Sequence, residues 1–146
     1  MTTIKRSALV PYSANEMYEL VNAVDEYADF LPWCESTQVL ARDEDSVKAR
    51  ITLKKGSLRK SFSTENRLQP NKVIEMRLLD GPFKHLEGYW LFDSVDESAC
   101  RVSLDLEFEF SSRMLGLVVG PVFTQIANSL VDAFHQRARE VYGHRL

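Results

Sequence analysis

The sequence predicts an α+β fold: a curved seven-stranded antiparallel sheet wrapped around one long C-terminal helix, with two short helices after strand 1. Three observations predict it. Residues 114–131 run eighteen positions without a charge inside a longer helical pattern. The middle of the chain alternates apolar and polar residues in short runs divided by turn residues, the mark of half-buried strands. The links between these runs are too short for crossover helices, so parallel pairing is excluded.

In chain order, residues 2–10 mix β-branched and polar side chains and read as a first strand, stopped by Pro11. Ser13 with Glu16 three residues later forms a capping box, and Met17, Leu20, Val21 and Val24 supply the buried stripe of a helix. Asp25 is placed to cap a second, shorter helix through Tyr27, Ala28, Phe30 and Leu31, ended by Pro32. Strands then follow over 36–42, 47–54, 58–68, 73–79, 85–93 and 100–110, with turns at Asp43-Glu44-Asp45, Lys55-Gly56, Gln69-Pro70-Asn71 and Asp80-Gly81-Pro82.

These strands have one dry face. Val47, Ala49, Ile51 and Leu53 alternate with Lys48, Arg50, Thr52 and Lys54, and Val102, Leu104, Leu106, Phe108 and Phe110 alternate with polar residues in the last strand. A sheet wet on one side must cover the other, and only the C-terminal helix is large enough to do so. Ser111 and Ser112 offer its N-cap, and Val119, Val122, Phe123, Ile126, Leu130, Ala133, Phe134 and Val141 recur at the spacing of one face. At about 30 residues it would be ~45 Å long. Its uncharged stretch also meets the length of a membrane span, but Gly116, Gly120, Pro121, Gln125, Asn128 and Ser129 inside that window favour a buried core helix. Pro121 predicts a kink or break there, which would leave the turns up to Gly120 as a flap. Met114, Leu115, Leu117, Val118 and Val119 in that flap either pack on the sheet's end or make a transient membrane-surface contact through residues 114–119.

Composition narrows the function classes. With 146 residues, 45% hydrophobic and 27% charged, the chain reads as one ordinary globular domain over residues 1–146. A net charge of -3 makes no global case for nucleic acid, and no DNA partner is expected. Cys34 and Cys100 cannot form a disulfide scaffold, and no Cys/His set has zinc spacing, so inert thiols and no metal are expected. Lys5 and Arg6 are not followed by an apolar stretch of signal-peptide type, which points to a cytoplasmic protein. His85, His135 and His144 belong to no Ser/His/Asp set, and no carboxylate pair can be argued from spacing, so no catalytic residue is assigned.

The dry face is lined with large side chains. Phe62, Met76, Trp90, Phe92, Leu106 and Phe108 would point at Phe123, Ile126 and Leu130 of the helix, with Trp33, Phe83 and Leu86 joining from the edges. Lys60, Thr64 and Asn66 share the inward register of Phe62, and inward polar groups either find partners or line a cavity. For Lys60 a second placement is open, in which a bulge turns it to solvent. On the opposite face, Lys48, Arg50, Lys54, Arg59 and Arg67 fall outward on two neighbouring strands with Glu65 as the single nearby acid, a footprint suited to RNA phosphates or anionic headgroups. An outward charge run is also compatible with a plain solvated face.

Val10-Pro11-Tyr12-Ser13-Ala14, Met17-Tyr18, Phe30-Leu31-Pro32-Trp33-Cys34, Asp80-Gly81-Pro82-Phe83, Leu86, Gly88, Trp90, Phe92, Ala133-Phe134, Arg137-Ala138 and Tyr142-Gly143 together carry a resemblance spanning the chain. It is similar to the coenzyme Q-binding, START-like family of the polyketide cyclase/dehydrase and lipid transport superfamily, and within it to the bacterial ribosome-association toxin subfamily. The resemblance implies a helix-grip (START/Bet v1-like) fold enclosing an apolar tunnel. It also implies no required cofactor, and a ubiquinone-like or other isoprenoid lipid as bound ligand, with Lys60, Thr64 or Asn66 as candidates to meet a quinone carbonyl. The function expected first is non-enzymatic quinone binding in support of respiration, peripheral to the inner membrane. The alternative is a factor that binds the large (50S) ribosomal subunit and inhibits initiation by blocking 70S formation.

Overall fold

The computed structural model describes residues 1–145. Strand β1 (Thr2–Val10) passes through helix α1 (Ala14–Asn22) and a 3-10 turn (Val24–Asp29) to reach β2 (Cys34–Arg42). A meander follows through β3 (Ser46–Lys55), β4 (Leu58–Gln69), β5 (Val73–Asp80), β6 (Phe83–Asp96) and β7 (Ala99–Phe110), and α2 (Arg113–Tyr142) closes the chain. The seven strands form one antiparallel sheet in the order β1-β7-β6-β5-β4-β3-β2. Each consecutive pair from β2 to β7 is a hairpin, while β1 returns to lie beside β7. Bulges in the β2–β3, β4–β5 and β6–β7 ladders bend the wall.

Local chemistry accounts for the helix starts. Ser13 Oγ accepts from the Glu16 amide at 3.1 Å and Glu16 Oε1 accepts from the Ser13 amide at 2.9 Å, a complete capping box. The Glu16 carboxylate also takes two donors from Arg145 at 2.7 and 2.9 Å, tying α1 to the chain's end. That guanidinium holds the Glu16 carboxyl below the ordinary carboxylate value. At α2, Ser112 rather than Ser111 is the cap, its Oγ accepting from the Leu115 amide at 3.1 Å.

Two expectations are corrected. The segment after α1 is a 3-10 turn with no side-chain cap, so Asp25 does not open a helix. Six residues cannot build a stable α-helix, and this turn is held instead by Val24 and Tyr27, both buried, with the Tyr27 hydroxyl donating to the Val21 carbonyl. The second correction is Pro121. The helix continues through it from Arg113 to Tyr142, so the first turns are not a separate flap. Pro121 is exposed and has no N–H to give the Leu117 carbonyl, while buried Val119 and Phe123 hold the helix on either side.

By length and composition α2 could cross a membrane, with a mean hydropathy of 1.6 over its most apolar window. Here it lies against β1, β7 and α1. Its buried stripe is Val119, Phe123, Ile126, Ala127, Val131, Phe134 and Ala138. The expected stripe is therefore rotated slightly, with Val141 half exposed at 49% and Ala127, Val131 and Ala138 taking the inner line.

Candidate functional site: an apolar cavity and a two-signed outer face

Where α2 crosses the sheet, the two do not close completely. A cavity of about 80 Å³ remains, bounded by Phe123, Ile126, Ala127, Leu130 and Phe134 from α2, by inward residues of β3 to β7, and by Val24, Tyr27 and Trp33 from the segment after α1. Counting its mouth, the space free of atoms is about 770 Å³. Room for one water needs only ~10–15 Å³ on the smaller measure, and a cavity of ~150 Å³ takes benzene. The enclosed part therefore holds a small apolar group, and anything larger must extend into the mouth or move side chains.

Of the residues expected to line this space, Trp33, Phe62, Met76, Leu86, Trp90, Leu106, Phe123, Ile126 and Leu130 do border it. Phe83, Phe92 and Phe108 do not. Phe83 and Phe108 stand behind the lining, with ring centroids 5.0 and 4.7 Å from Phe123, and plug one end of the layer. Phe92 sits under α1, edge-on to Tyr18 at 5.7 Å. Phe92 and Phe108 have inward parity, and Phe83 is turned inward by the register shift before His85, but facing inward sets the side of the sheet and not the position along it. Val24, Tyr27, Ala49, Ile51, Leu53, Leu104, Ala127 and Phe134 border the cavity without having been singled out. The alternation of β3 and β7 already marks Ala49, Ile51, Leu53 and Leu104 as inward, whereas nothing in the sequence brings the 3-10 turn to the wall.

The three inward polar residues separate. Thr64 and Asn66 line the cavity, 5% and 7% exposed, and Thr64 Oγ1 donates to Asn66 Oδ1 at 3.0 Å. Lys60 does not line it: it is half-buried opposite Leu53. The bulge lies elsewhere, between Ser63 and Thr64 on the β5 side, while the β3–β4 ladder is unbroken from Lys55↔Leu58 to Ser46↔Arg67. That bulge buries Phe62, Ser63 and Thr64 in succession and leaves Ser63 Oγ without a partner.

Glycine shapes two points of the wall. At Gly81, with φ +142°, a Cβ would stand 2.6 Å from Phe62 Cβ. At Gly88 a Cβ would meet Leu106 Cδ1 at 2.8 Å, the Asp105 carbonyl at 2.9 Å and Met76 Cε at 3.1 Å. Because Leu106 and Met76 border the cavity, Gly88→Val is expected to force them inward and to lower stability by about 1–3 kcal/mol. Thermal unfolding checks this, and an unchanged melting temperature would show that the β6 wall has slack there.

The cavity wall carries no charged side chain and no histidine among the described residues. Tyr27 is its one titratable group, and burial pushes that phenol well above its ordinary range. Burial also pushes both free thiols, Cys34 and Cys100, up to about 11, so they stay protonated at neutral pH. His135 lies edge-on to Tyr12 at 6.1 Å rather than in the cavity. Among the described residues His85, Glu87 and Glu107 form one His/carboxylate group, on the outer face of β6 and β7 and away from the cavity, with His85 Nε2 at 3.5 and 3.8 Å from the two carboxylates.

The outer face divides by sign. On β3 and β4, Lys48, Arg50, Lys54, Arg59 and Arg67 are all exposed. Their register gathers them, with Lys54 opposite Arg59, Arg50 opposite Ser63 and Arg67 opposite Ser46. Arg59 is engaged by Glu35, donating from Nη2 and Nε at 2.7 and 2.9 Å, whereas Arg50, Lys54 and Arg67 have no carboxylate within 4.0 Å among the described residues. Across β6 and β7 the sign changes: Glu87 faces Glu107, and Asp105 and Glu109 follow on β7. The positive half therefore backs the cavity wall. The same two strands turn Ala49, Ile51, Leu53, Phe62, Thr64 and Asn66 inward.

Comparisons with known proteins agree with this architecture. The model of the polyketide cyclase/dehydrase and lipid transport family matches residues 10–135. The chain is 48% identical to the ribosome association toxin RatA of Pseudomonas aeruginosa, over 97% of this chain and 99% of that one. It is 43% identical to RatA of Escherichia coli K12, over 99% and 92%. A more distant relative, the mitochondrial coenzyme Q-binding protein coq10 of Schizosaccharomyces pombe, is 27% identical over 92% of this chain and 85% of that one. Among solved structures, an 18 kDa protein from Caulobacter crescentus superposes with a TM-score of 0.76 at 30% identity, covering 99% of this chain and all of that one. The Zhui aromatase/cyclase of a Streptomyces species reaches 0.81 at 21% identity over 96% and 95%, a likeness of fold alone. A bent antiparallel wall closed on a C-terminal helix, matched over nearly its full length in sequence as well as in shape, places this chain in the polyketide cyclase/dehydrase and lipid transport family, on the branch that holds the RatA proteins.

Proposed function

We propose that this chain associates with the large ribosomal subunit through the outer face of β3 and β4 and so keeps the small subunit from joining it. The observation that carries this reading is the cluster of Arg50, Lys54 and Arg67, exposed and free of carboxylate partners among the described residues, in a chain whose net charge is -3. A protein negative overall gains little from general attraction to RNA, so a positive half-face serves a local contact with phosphates. Relatives at 43% and 48% identity that are named ribosome association toxins support the same partner. This reverses the order of the two functions that the sequence suggests first. Co-sedimentation with purified large subunits, repeated across a salt series, tests it: retention that falls steeply with salt supports the reading, and no retention at low salt ends it.

A second reading is favoured by the cavity. Its nearly uncharged wall suits a neutral, mainly apolar molecule whose burial is driven at about 25 cal/mol per Å². The family's description as lipid transport and the coq10 relative support an isoprenoid quinone or another lipid as that molecule. No catalytic step is proposed. The protein would work in the cytoplasm and meet the inner-membrane surface when collecting lipid. The first turns of α2 suit that contact, because Met114, Leu117 and Val118 are 74%, 73% and 59% exposed. Leu117→Asp with Val118→Asp is expected to change stability by only about 0.5 kcal/mol while lowering lipid pickup from vesicles several-fold. Equal pickup by native and variant proteins would remove this segment from the mechanism.

A further inference from the structure

We infer that the cavity selects neutral apolar molecules that carry a hydrogen-bond acceptor oxygen, and that Asn66 is the residue that reads it. The inference rests on the cavity reading above. Thr64 and Asn66 lie two residues apart on the inward face of β4, and both border the cavity. Thr64 spends its one hydroxyl proton on Asn66 Oδ1 at 3.0 Å. That bond fixes the amide with its oxygen toward Thr64 and its NH2 turned away from it. A side-chain amide has two N–H donors; among the described residues Asn66 Nδ2 has no hydrogen-bond partner, and it is not one of the fully occluded polar atoms, as a group bordering the cavity requires.

Asn66 is 93% buried, since its exposure is 7%, so its donors have little access to bulk water. An unmet donor in an apolar enclosure carries a desolvation cost that an acceptor removes. The complementary group is a ketone, quinone, ester or ether oxygen. Carboxylates and ammonium groups are selected against, because the wall offers no opposite charge to balance them once they leave water. A plain hydrocarbon fits the wall but leaves Asn66 unmet. Lys60, the other inward polar candidate on β4, takes no part, since it does not reach the cavity.

The test compares 2-heptanone with heptane, matched in chain length and differing in one carbonyl, as ligands of the native protein and of Asn66→Leu, with affinities from NMR titration. Leu has the same side-chain branching and heavy-atom count as Asn and removes a buried polar group, so the variant is expected to fold. The ketone should lose about tenfold in affinity relative to heptane in the variant, the worth of one hydrogen bond. On the native protein, the Asn66 side-chain NH2 resonances should move with 2-heptanone and stay in place with heptane, a readout that needs no variant. If both ligands bind but their affinity ratio is the same in native and variant proteins, or the NH2 resonances ignore the ketone, the role of Asn66 is overturned and the cavity reading stands. If neither ligand binds the native protein, both fail together.

Discussion

Arg50→Glu combined with Lys54→Glu is expected to lower affinity for the large ribosomal subunit about thirtyfold at 0.1 M salt, while the protein remains folded. Each phosphate contact contributes a slope of roughly 0.7–0.9 in log affinity against log salt, so at 0.1 M the loss of two contacts is worth about 25- to 60-fold. Both side chains are exposed on β3 and neither holds an ion pair, so the fold loses nothing comparable. The salt slope should become shallower by about two units, or more if the new carboxylates repel. Arg59→Gln is the informative contrast. Its guanidinium is already committed to Glu35 at 2.7 and 2.9 Å, so its removal should weaken binding much less. Co-sedimentation of the folded double variant at native levels would exclude this face as the ribosome contact.

Phe134→Ala should cost about 3–5 kcal/mol, the range for truncating a buried aromatic. Phe134 is 1% exposed and is the centre of an aromatic group, with ring centroids 5.4 Å from Tyr27, 5.4 Å from Phe30 and 5.3 Å from Trp90. It joins α2, β6 and the 3-10 turn, and it also borders the cavity. The space left by the ring would merge with a void that already exists, so neighbours have little to collapse onto. For a chain of this size the melting temperature should fall by about 10–15 °C. A fall under about 3 °C would mean that this end of the interface is loosely packed and that the helix is held mainly elsewhere.

The division between what could be read early and what could not is clear in β4. Alternation placed Phe62, Thr64 and Asn66 inward and Arg59 and Arg67 outward, as the ladder with β3 shows. Alternation did not reveal the bulge after Ser63, because a bulge arises from how two strands match across the sheet and leaves no period in either one. Phe83, Phe92 and Phe108 show the same limit. Phe92 and Phe108 face inward by parity and Phe83 by the register shift before His85, but Phe83 and Phe108 pack behind Phe123 and Phe92 packs under α1, so none of the three borders the cavity. Asp25 and Pro121 failed for a different reason: local propensity was outweighed by packing. Tyr27 and Val24 were drawn into the wall as a 3-10 turn, and buried Val119 and Phe123 carried the helix past a proline.

By itself the sequence determined the seven strands, the first helix and the long helix, the face that most strand residues take, and the family. Those follow from periodicity, capping chemistry and side-chain type, which act within a few residues, together with a resemblance that extends over the whole chain. The tertiary structure alone decided that β1 lies beside β7, that Thr64 and Asn66 reach an enclosed space while Lys60 does not, and that Arg59 is engaged by Glu35 while Arg50 and Lys54 are open. Each of these depends on distances between segments far apart in the chain, and such distances are set by how the wall bends around its helix.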